Sequence, residues 1–355
     1  MADKVLMKGN EAIGEAAVVA GCRYYFGYPI TPQTELTEYM SRRMPQVDGT
    51  FLQAESEIAA INMVYGAAGA GARTMTSSSS PGISLKMEGI SYIAGAQLPC
   101  VIVNMMRGGP GLGSIQPSQA DYFQATKGGG HGDYRLIVLA PNSVQELVDM
   151  TILAFDLADH YLNPVMLLGD GAIGQMMEPV VFPSGDRRLI EKPWAAVGMG
   201  DRKKPNIINS LFLQPEKLEE HNNVLQAKYK KIAAEQVRYE EIQTEDADLI
   251  LVAYGITSRI ARSAMDIVRS EGYKVGLFRP ISLWPFPSEP LKRLAKTAQA
   301  FLTLELSAGQ MIEDVQLAVC GARPIHFYGR TGGMIMSPKE EAEEIKKILN
   351  AGGGK

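Results

Sequence analysis

Cysteine is scarce in this chain. Cys22, Cys100 and Cys320 are the only three in 355 residues, and no two share C-x-x-C spacing. An iron–sulfur cluster normally takes four thiolates, so the chain alone does not hold one in the usual way. Three scattered thiols also fit a reducing compartment better than a disulfide framework. The four histidines, His131, His160, His221 and His326, stand far apart and form no zinc motif. Positive charge has no excess: 35 Lys and Arg face 39 Asp and Glu, a net charge of −4. There is then no basic field to attract nucleic acid or an anionic membrane. Apolar runs break well short of the roughly 20 residues a membrane helix needs. Met1 to Gly9 carries Asp3, Lys4 and Lys8 and no apolar stretch, which predicts no signal peptide and a cytoplasmic protein. Redox or metal chemistry has to be carried elsewhere.

What is present is an ordinary globular composition, 46% hydrophobic and 21% charged, on a chain long enough for two or three domains. Residues 1–183 alternate short β-branched or aromatic runs with Ala-rich helical stretches. Cys100 to Met105 is continuous rather than alternating, the mark of a strand buried on both faces. Ser143 with Glu146 three residues later reads as a capping box. Such alternation predicts an α/β fold with a doubly wound parallel sheet, whose ligands bind at the carboxyl ends of strands. Residues 184–245 read as a linker with a polar helical segment. The α/β pattern resumes over 246–350, and 351–355 reads as a disordered tail.

Four strand-to-helix junctions carry candidate chemistry. Gly27-Tyr28-Pro29-Ile30-Thr31-Pro32 is a stiff turn, with Pro32 expected at the first helical position and Thr31 at the N-cap. That hydroxyl either caps the helix or meets a carboxylate at the helix N-terminus. In Gln53-Ala54-Glu55-Ser56-Glu57, Ser56 or Glu55 is a cap candidate, and Glu57 opens a small-residue helix that lets a ligand or another chain come close. Ser77-Ser78-Ser79-Ser80-Pro81-Gly82 is either plain turn chemistry or a polar cradle. Arg107-Gly108-Gly109-Pro110-Gly111-Leu112-Gly113 offers a cation on a glycine-rich loop, but neither the dinucleotide nor the P-loop pattern. Arg107 is there an anion-binding or a merely solvated side chain.

In this order and spacing, Tyr28-Pro29-Ile30-Thr31-Pro32, Glu55-Ser56-Glu57, Ser79-Ser80-Pro81-Gly82 and Arg107-Gly108-Gly109-Pro110 resemble the alpha-type subunit of 2-oxoacid:ferredoxin oxidoreductases. Arg279-Pro280-Ile281-Ser282-Leu283-Trp284-Pro285-Phe286-Pro287 and Glu305-Leu306-Ser307-Ala308-Gly309-Gln310 resemble that family's transketolase C-terminal-like domain. The resemblance implies a pyrimidine-binding thiamine diphosphate domain over 1–183. Glu57 matches the glutamate that hydrogen-bonds N1′ of the aminopyrimidine and promotes removal of the thiazolium C2 proton. Thr31 matches the hydroxyl that meets the substrate's carboxylate and keto end, and Arg107 the arginine that holds substrate or product. Tyr28, Pro29, Ile30, Ser79 and Ser80 would line the cofactor.

The family's diphosphate and Mg2+ site, Gly-Asp-Gly followed by Asn, lies on a beta subunit. Gly169-Asp170-Gly171 occurs here, but Ala172 to Val181 contains no asparagine, so Asp170 reads as a turn residue and no metal ligand is assigned. The resemblance places 4Fe-4S clusters on the beta subunit and a ferredoxin-like delta subunit. It adds a gamma subunit, coenzyme A as co-substrate and soluble ferredoxin as acceptor.

Within the family, Gly111 to Gln124 and Gly128 to Tyr134 resemble the 3-methyl-2-oxobutanoate (2-ketoisovalerate) enzymes. The alternative substrate, 2-oxoglutarate, needs an extra cation, for which Lys127, His131 and Arg135 are candidates. Arg330-Thr331-Gly332-Gly333 is either a plain turn or an anion loop near coenzyme A. Two other classes stay open: a non-redox thiamine enzyme, and an assembly subunit without catalysis.

Overall fold

The computed structural model describes residues 4–184 and 189–352. Its elements, in chain order, begin with β1 (Val5–Lys8), α1 (Gly9–Val19), β2 (Tyr24–Gly27), α2 (Thr34–Arg43), β3 (Thr50–Gln53) and α3 (Glu57–Gly69). There follow β4 (Thr74–Ser78), α4 (Pro81–Gly95), β5 (Cys100–Met106), α5 (Tyr122–Thr126), β6 (Ile137–Leu139), α6 (Val144–Tyr161), β7 (Pro164–Asp170), α7 (Gly171–Gln175) and β8 (Met177–Val180). The helix α8 (Pro215–Glu235) leads to β9 (Tyr239–Ile242), β10 (Leu249–Val252), α9 (Gly255–Ser270), β11 (Val275–Pro280) and β12 (Ser282–Trp284). The chain closes with α10 (Ser288–Leu294), β13 (Ala300–Glu305), α11 (Met311–Val319), β14 (Ile325–Gly329) and α12 (Pro338–Gly352).

The first sheet has seven strands in the order β12-β6-β7-β5-β4-β2-β3, and its strands from β3 to β6 are parallel. Its central strands β5 and β7 are buried throughout, as largely apolar runs require, and β4, Thr-Met-Thr-Ser-Ser, is buried as well despite its hydroxyls. The second sheet has five strands, β14-β13-β10-β11-β9, parallel except for β9. A small antiparallel pair, β1 with β8, stands apart.

Helix starts follow local chemistry. Ser56 Oγ accepts the Ala59 N–H at 3.2 Å, and Ser143 Oγ accepts that of Glu146 at 3.2 Å. The Glu146 carboxylate reaches back to the Asn142 N–H at 2.9 Å. Helices α3 and α4 lie close because Gly89 has no side chain; a Cβ there would stand 2.5 Å from Ile61 Cγ2.

Two short strands cross the boundaries that composition suggests. Within 184–245, β9 pairs antiparallel with β11 as the edge of the second sheet. Within 246–350, β12 leaves its own sheet and pairs antiparallel with β6, so residues from the second α/β unit complete the first sheet. Arg279 reinforces this crossing: it is 3% exposed and its guanidinium pairs with Glu146 of α6, the same carboxylate that holds Asn142. The expected tail begins later than 351, because α12 runs through Ala351 and Gly352; residues 353–355 lie outside the described residues.

Candidate active site

The four candidate junctions lie at the carboxyl ends of β2, β3, β4 and β5, which are neighbours in the parallel sheet. A polar network underlies the first. Tyr25 OH meets Ser77 Oγ at 2.6 Å and Thr37 Oγ1 at 3.0 Å, and both hydroxyl groups donate to Gln33 Oε1. Gln33 Nε2 then donates to the Tyr28 carbonyl at 3.2 Å, which fixes the start of the turn.

Thr31 and Pro32 do not cap α2. The Gln33 N–H donates to the Ile30 carbonyl at 3.1 Å, which makes Thr31 and Pro32 the centre of a four-residue turn. The Pro32 carbonyl accepts the amides of Asn10 at 2.7 Å and Gln175 at 3.0 Å, from α1 and α7. The helix therefore begins at Thr34 with Gln33 before it, and no side chain caps it. Thr31 is exposed, and its hydroxyl has no hydrogen bond among the described residues. Its carbonyl accepts Arg107 Nη1 at 2.9 Å, so the two predicted substrate residues are in contact.

Glu57 is 6% exposed at the start of α3. Its carboxylate lies over Gly82 of α4: a Cβ on Gly82 would come within 2.5 Å of Glu57 Oε1 and 2.0 Å of Ser78 Oγ. Only glycine leaves that space. No protein group among those described hydrogen-bonds the carboxylate, and the buried hydroxyls of Ser78 and Ser79 also lack partners. Buried polar groups are normally paired, so this cluster is shaped for something that brings its own donors and acceptors.

Ser80 differs from Ser79. Its Oγ donates to Asp121 Oδ2 at 2.6 Å and accepts the Arg107 N–H at 3.0 Å, while its own N–H donates to Asn104 Oδ1 at 3.1 Å. These bonds hold its backbone at φ +26°, a costly conformation for a residue with a Cβ. Asp121 also accepts Asn104 Nδ2 at 2.9 Å. Burial raises the Asp121 pKa above the usual carboxylate range, and the bonds from Ser80 and Asn104 oppose that rise. Ser80 therefore ties loops together, whereas the hydroxyls of Ser78 and Ser79 are left without partners.

Arg107 is half-buried rather than solvated, with Nη2 at 3.4 Å from the Leu112 carbonyl and Nε buried without a partner. Its loop folds back on itself through Gly108 N–H to the Gln116 carbonyl at 3.0 Å. The Arg330-Thr331-Gly332-Gly333 segment of the second unit packs on it: a Cβ at Gly333 would stand 2.3 Å from Gln116 Cβ. Tyr28 and Ile30 are half-buried and Pro29 is exposed at the same rim.

Other candidates have structural partners. Asp170 Oδ1 accepts the N–H groups of Ala172 and Ile173, and Oδ2 that of Ile256. Lys127 pairs with Asp314, Arg135 Nη1 donates to the Thr126 carbonyl at 2.9 Å, and His131 packs edge-on to Tyr92. Glu305 receives the N–H groups of Gln310, Met311 and Ile312, so its motif builds the start of α11. Sequence reasoning missed Gln33, Asn104 and Lys86. Asn104 has a visible signal, being the one polar residue inside an otherwise apolar strand.

Residues 15–246 match the family described as pyruvate flavodoxin/ferredoxin oxidoreductase, thiamine diphosphate-binding. Residues 247–341 match pyruvate:ferredoxin oxidoreductase core domain II. The chain is 53% identical over 346 residues to ketoisovalerate oxidoreductase subunit VorB of Methanothermobacter marburgensis, covering 97% of each chain. It is 35% identical over 377 residues to 2-oxoglutarate synthase subunit KorA of Methanothermobacter thermautotrophicus, covering 98% of this chain and 100% of that one. A solved 2-oxoglutarate:ferredoxin oxidoreductase from Magnetococcus marinus, with 2-oxoglutarate, coenzyme A and succinyl-CoA bound, aligns with a TM-score of 0.87 at 28% identity, over 98% of this chain and 65% of that chain.

Proposed function

The chain belongs to the pyruvate flavodoxin/ferredoxin oxidoreductase family, and from that premise we propose that it forms the pyrimidine-facing wall of a thiamine diphosphate site in an oxidoreductase for 3-methyl-2-oxobutanoate. The complex would convert this 2-oxoacid, with coenzyme A, to acyl-CoA and CO2 while reducing ferredoxin. The observation that carries the site is the pair of orphan buried hydroxyls, Ser78 and Ser79, beside the Glu57 carboxylate over the Gly82 cradle. The branched-chain preference is supported by 53% identity to a ketoisovalerate oxidoreductase subunit against 35% to a 2-oxoglutarate synthase subunit.

When bound, thiamine diphosphate supplies the carbon nucleophile and electron sink that decarboxylation of a 2-oxoacid requires. This chain's contribution is proton placement and orientation. Glu57 would hold a proton toward the pyrimidine N1′, a position where a carboxylate with no protein hydrogen-bond partner acts strongly. The Tyr28-Pro29-Ile30 rim, braced by Gln33, and Ser79 bound the ring. Arg107 fixes the Thr31 carbonyl, leaving the Thr31 hydroxyl outward for the carboxylate or keto oxygen of the substrate.

The remaining parts fall to other subunits. Asp170 is occupied by three backbone N–H groups, so the Mg2+ and diphosphate belong on a beta subunit. Cys22 and Cys100 are buried and Cys320 is exposed, which leaves the 4Fe-4S clusters to the beta and delta subunits and a gamma subunit to complete the assembly. Among the described residues no helix is long and apolar enough to cross a membrane, and we place the complex in the cytoplasm.

The test is purification of the native complex and assay of a 2-oxoacid panel with coenzyme A and a viologen dye. The highest kcat/KM is expected for 3-methyl-2-oxobutanoate. A higher value for 2-oxoglutarate or pyruvate refutes the substrate, and turnover by this chain without partners refutes the division of labour.

A further inference from the structure

Lys86 is completely buried in α4, where a lysine is rare unless a charge compensates it. Its ammonium has three N–H donors, and one is accounted for: Nζ donates to Thr76 Oγ1 on β4 at 2.9 Å. No carboxylate forms a salt bridge with it among the described residues. Lys86 lies four residues after Gly82, one turn along the same face of α4. Gly82 is the residue over which the Glu57 carboxylate rests. A buried cation and a buried anion, each short of partners, thus share one side of one helical turn.

We infer that Lys86 is a positioning residue for Glu57: anchored on Thr76, its ammonium holds the carboxylate seated over Gly82, ready for the pyrimidine nitrogen. Burial pulls the Lys86 pKa down to about 8, and Glu57 acts in the opposite direction. The inference rests on the reading of Glu57 as the group that meets the cofactor. It deepens that reading by naming what holds the carboxylate in place where no protein group donates a hydrogen bond to it.

The test is a double-mutant cycle on the assembled complex without cofactor, followed by thiamine diphosphate titration. Lys86→Met is expected to lower the melting midpoint by several degrees, because it strands a buried carboxylate. Adding Glu57→Gln should restore part of that loss, since the stranded charge is then gone. Thiamine diphosphate affinity should fall about tenfold in Lys86→Met and recover in Lys86→Arg, which keeps the charge. If Lys86→Met prevents assembly, Thr76→Val removes the anchor alone and should weaken cofactor affinity severalfold. Additive melting shifts, or unchanged cofactor affinity in Lys86→Met and Thr76→Val, overturn the inference and leave Lys86 a packing residue. Wild-type cofactor affinity and turnover in Glu57→Gln overturn the reading of the site itself.

Discussion

The Asp170 carboxylate accepts the backbone N–H of Ile256 at 2.9 Å, so a side chain at the end of β7 caps the first helix of the other α/β unit. Its second oxygen accepts Ala172 and Ile173 at 3.1 Å each, capping α7. Gln119 completes the junction, donating to the Tyr254 carbonyl at 2.8 Å and accepting from Thr257 and Leu306. The two units are joined by buried polar groups that satisfy each other, and the turn carrying Pro32 abuts this joint at Gly171.

Asp170→Asn is therefore expected to destabilise the complex. The amide can keep one acceptor oxygen, but its nitrogen then faces a backbone N–H donor to donor. One unpaired buried N–H costs about 1–3 kcal/mol. Thermal melting at pH 7 should show a drop of a few degrees, and a wild-type midpoint would mean that the junction repacks freely.

Glu57→Gln keeps shape and removes charge. The assembled complex should retain its fold, because no protein group depends on the carboxylate for a hydrogen bond. Turnover of 2-oxoacid should fall about a hundredfold or more, the scale for a positioned proton-transfer group. Viologen reduction by the purified variant complex gives the answer directly; activity within threefold of wild type would point to an assembly subunit without catalysis.

Thr31 separates two roles by two measurements. As an N-cap, its replacement by Ala would cost about 1 kcal/mol of stability. The structure removes that role, since Gln33 precedes the helix and the Thr31 hydroxyl is free. Thr31→Ala should leave the melting midpoint unchanged while kcat/KM for the 2-oxoacid falls about tenfold, the value of one polar contact. Thr31→Ser should recover most of the activity. A stability loss with unchanged kinetics would reverse the assignment.

The sequence was legible where Pro, Gly and Ser punctuate strand ends. All four candidate junctions lie at the carboxyl edge of adjacent strands, and Ser56 and Ser143 cap as their patterns imply. Roles that depend on distant partners were not legible. Ser80 is held by Asn104 and Asp121, 24 and 41 positions away in the chain. Thr31 resembles a cap in sequence, but Asn10 and Gln175 hold the turn away from the helix. Strands β9 and β12, four and three residues long, are too short to show periodicity and exist through their pairing. Lys86 left a trace: it interrupts the apolar stripe Ile83, Met87 and Ile90 on the buried face of α4.

Glu341 lies far in sequence from these junctions, in α12, which packs on α9. It is completely buried, and neither carboxyl oxygen has a hydrogen-bond partner. Burial, aided by neighbouring Glu340, pushes its pKa up to about 9, so the group is protonated in the folded protein at neutral pH. The sign follows from proton counting. Below about 4.5, the unfolded value, both states carry the proton and Glu341 adds no pH dependence. Between about 4.5 and 9 the folded state retains a proton that the unfolded state has released, so stability falls as pH rises. The limiting slope is about 1.4 kcal/mol per pH unit, and relaxation around a buried carboxylate reduces it. Glu341→Met replaces the group with an apolar side chain of similar length and should abolish this slope. The variant complex should melt several degrees above wild type at pH 8.5, with a smaller gain at pH 6. Parallel melting curves for the two proteins across that range would show that Glu341 is ionised and paired in the assembled enzyme.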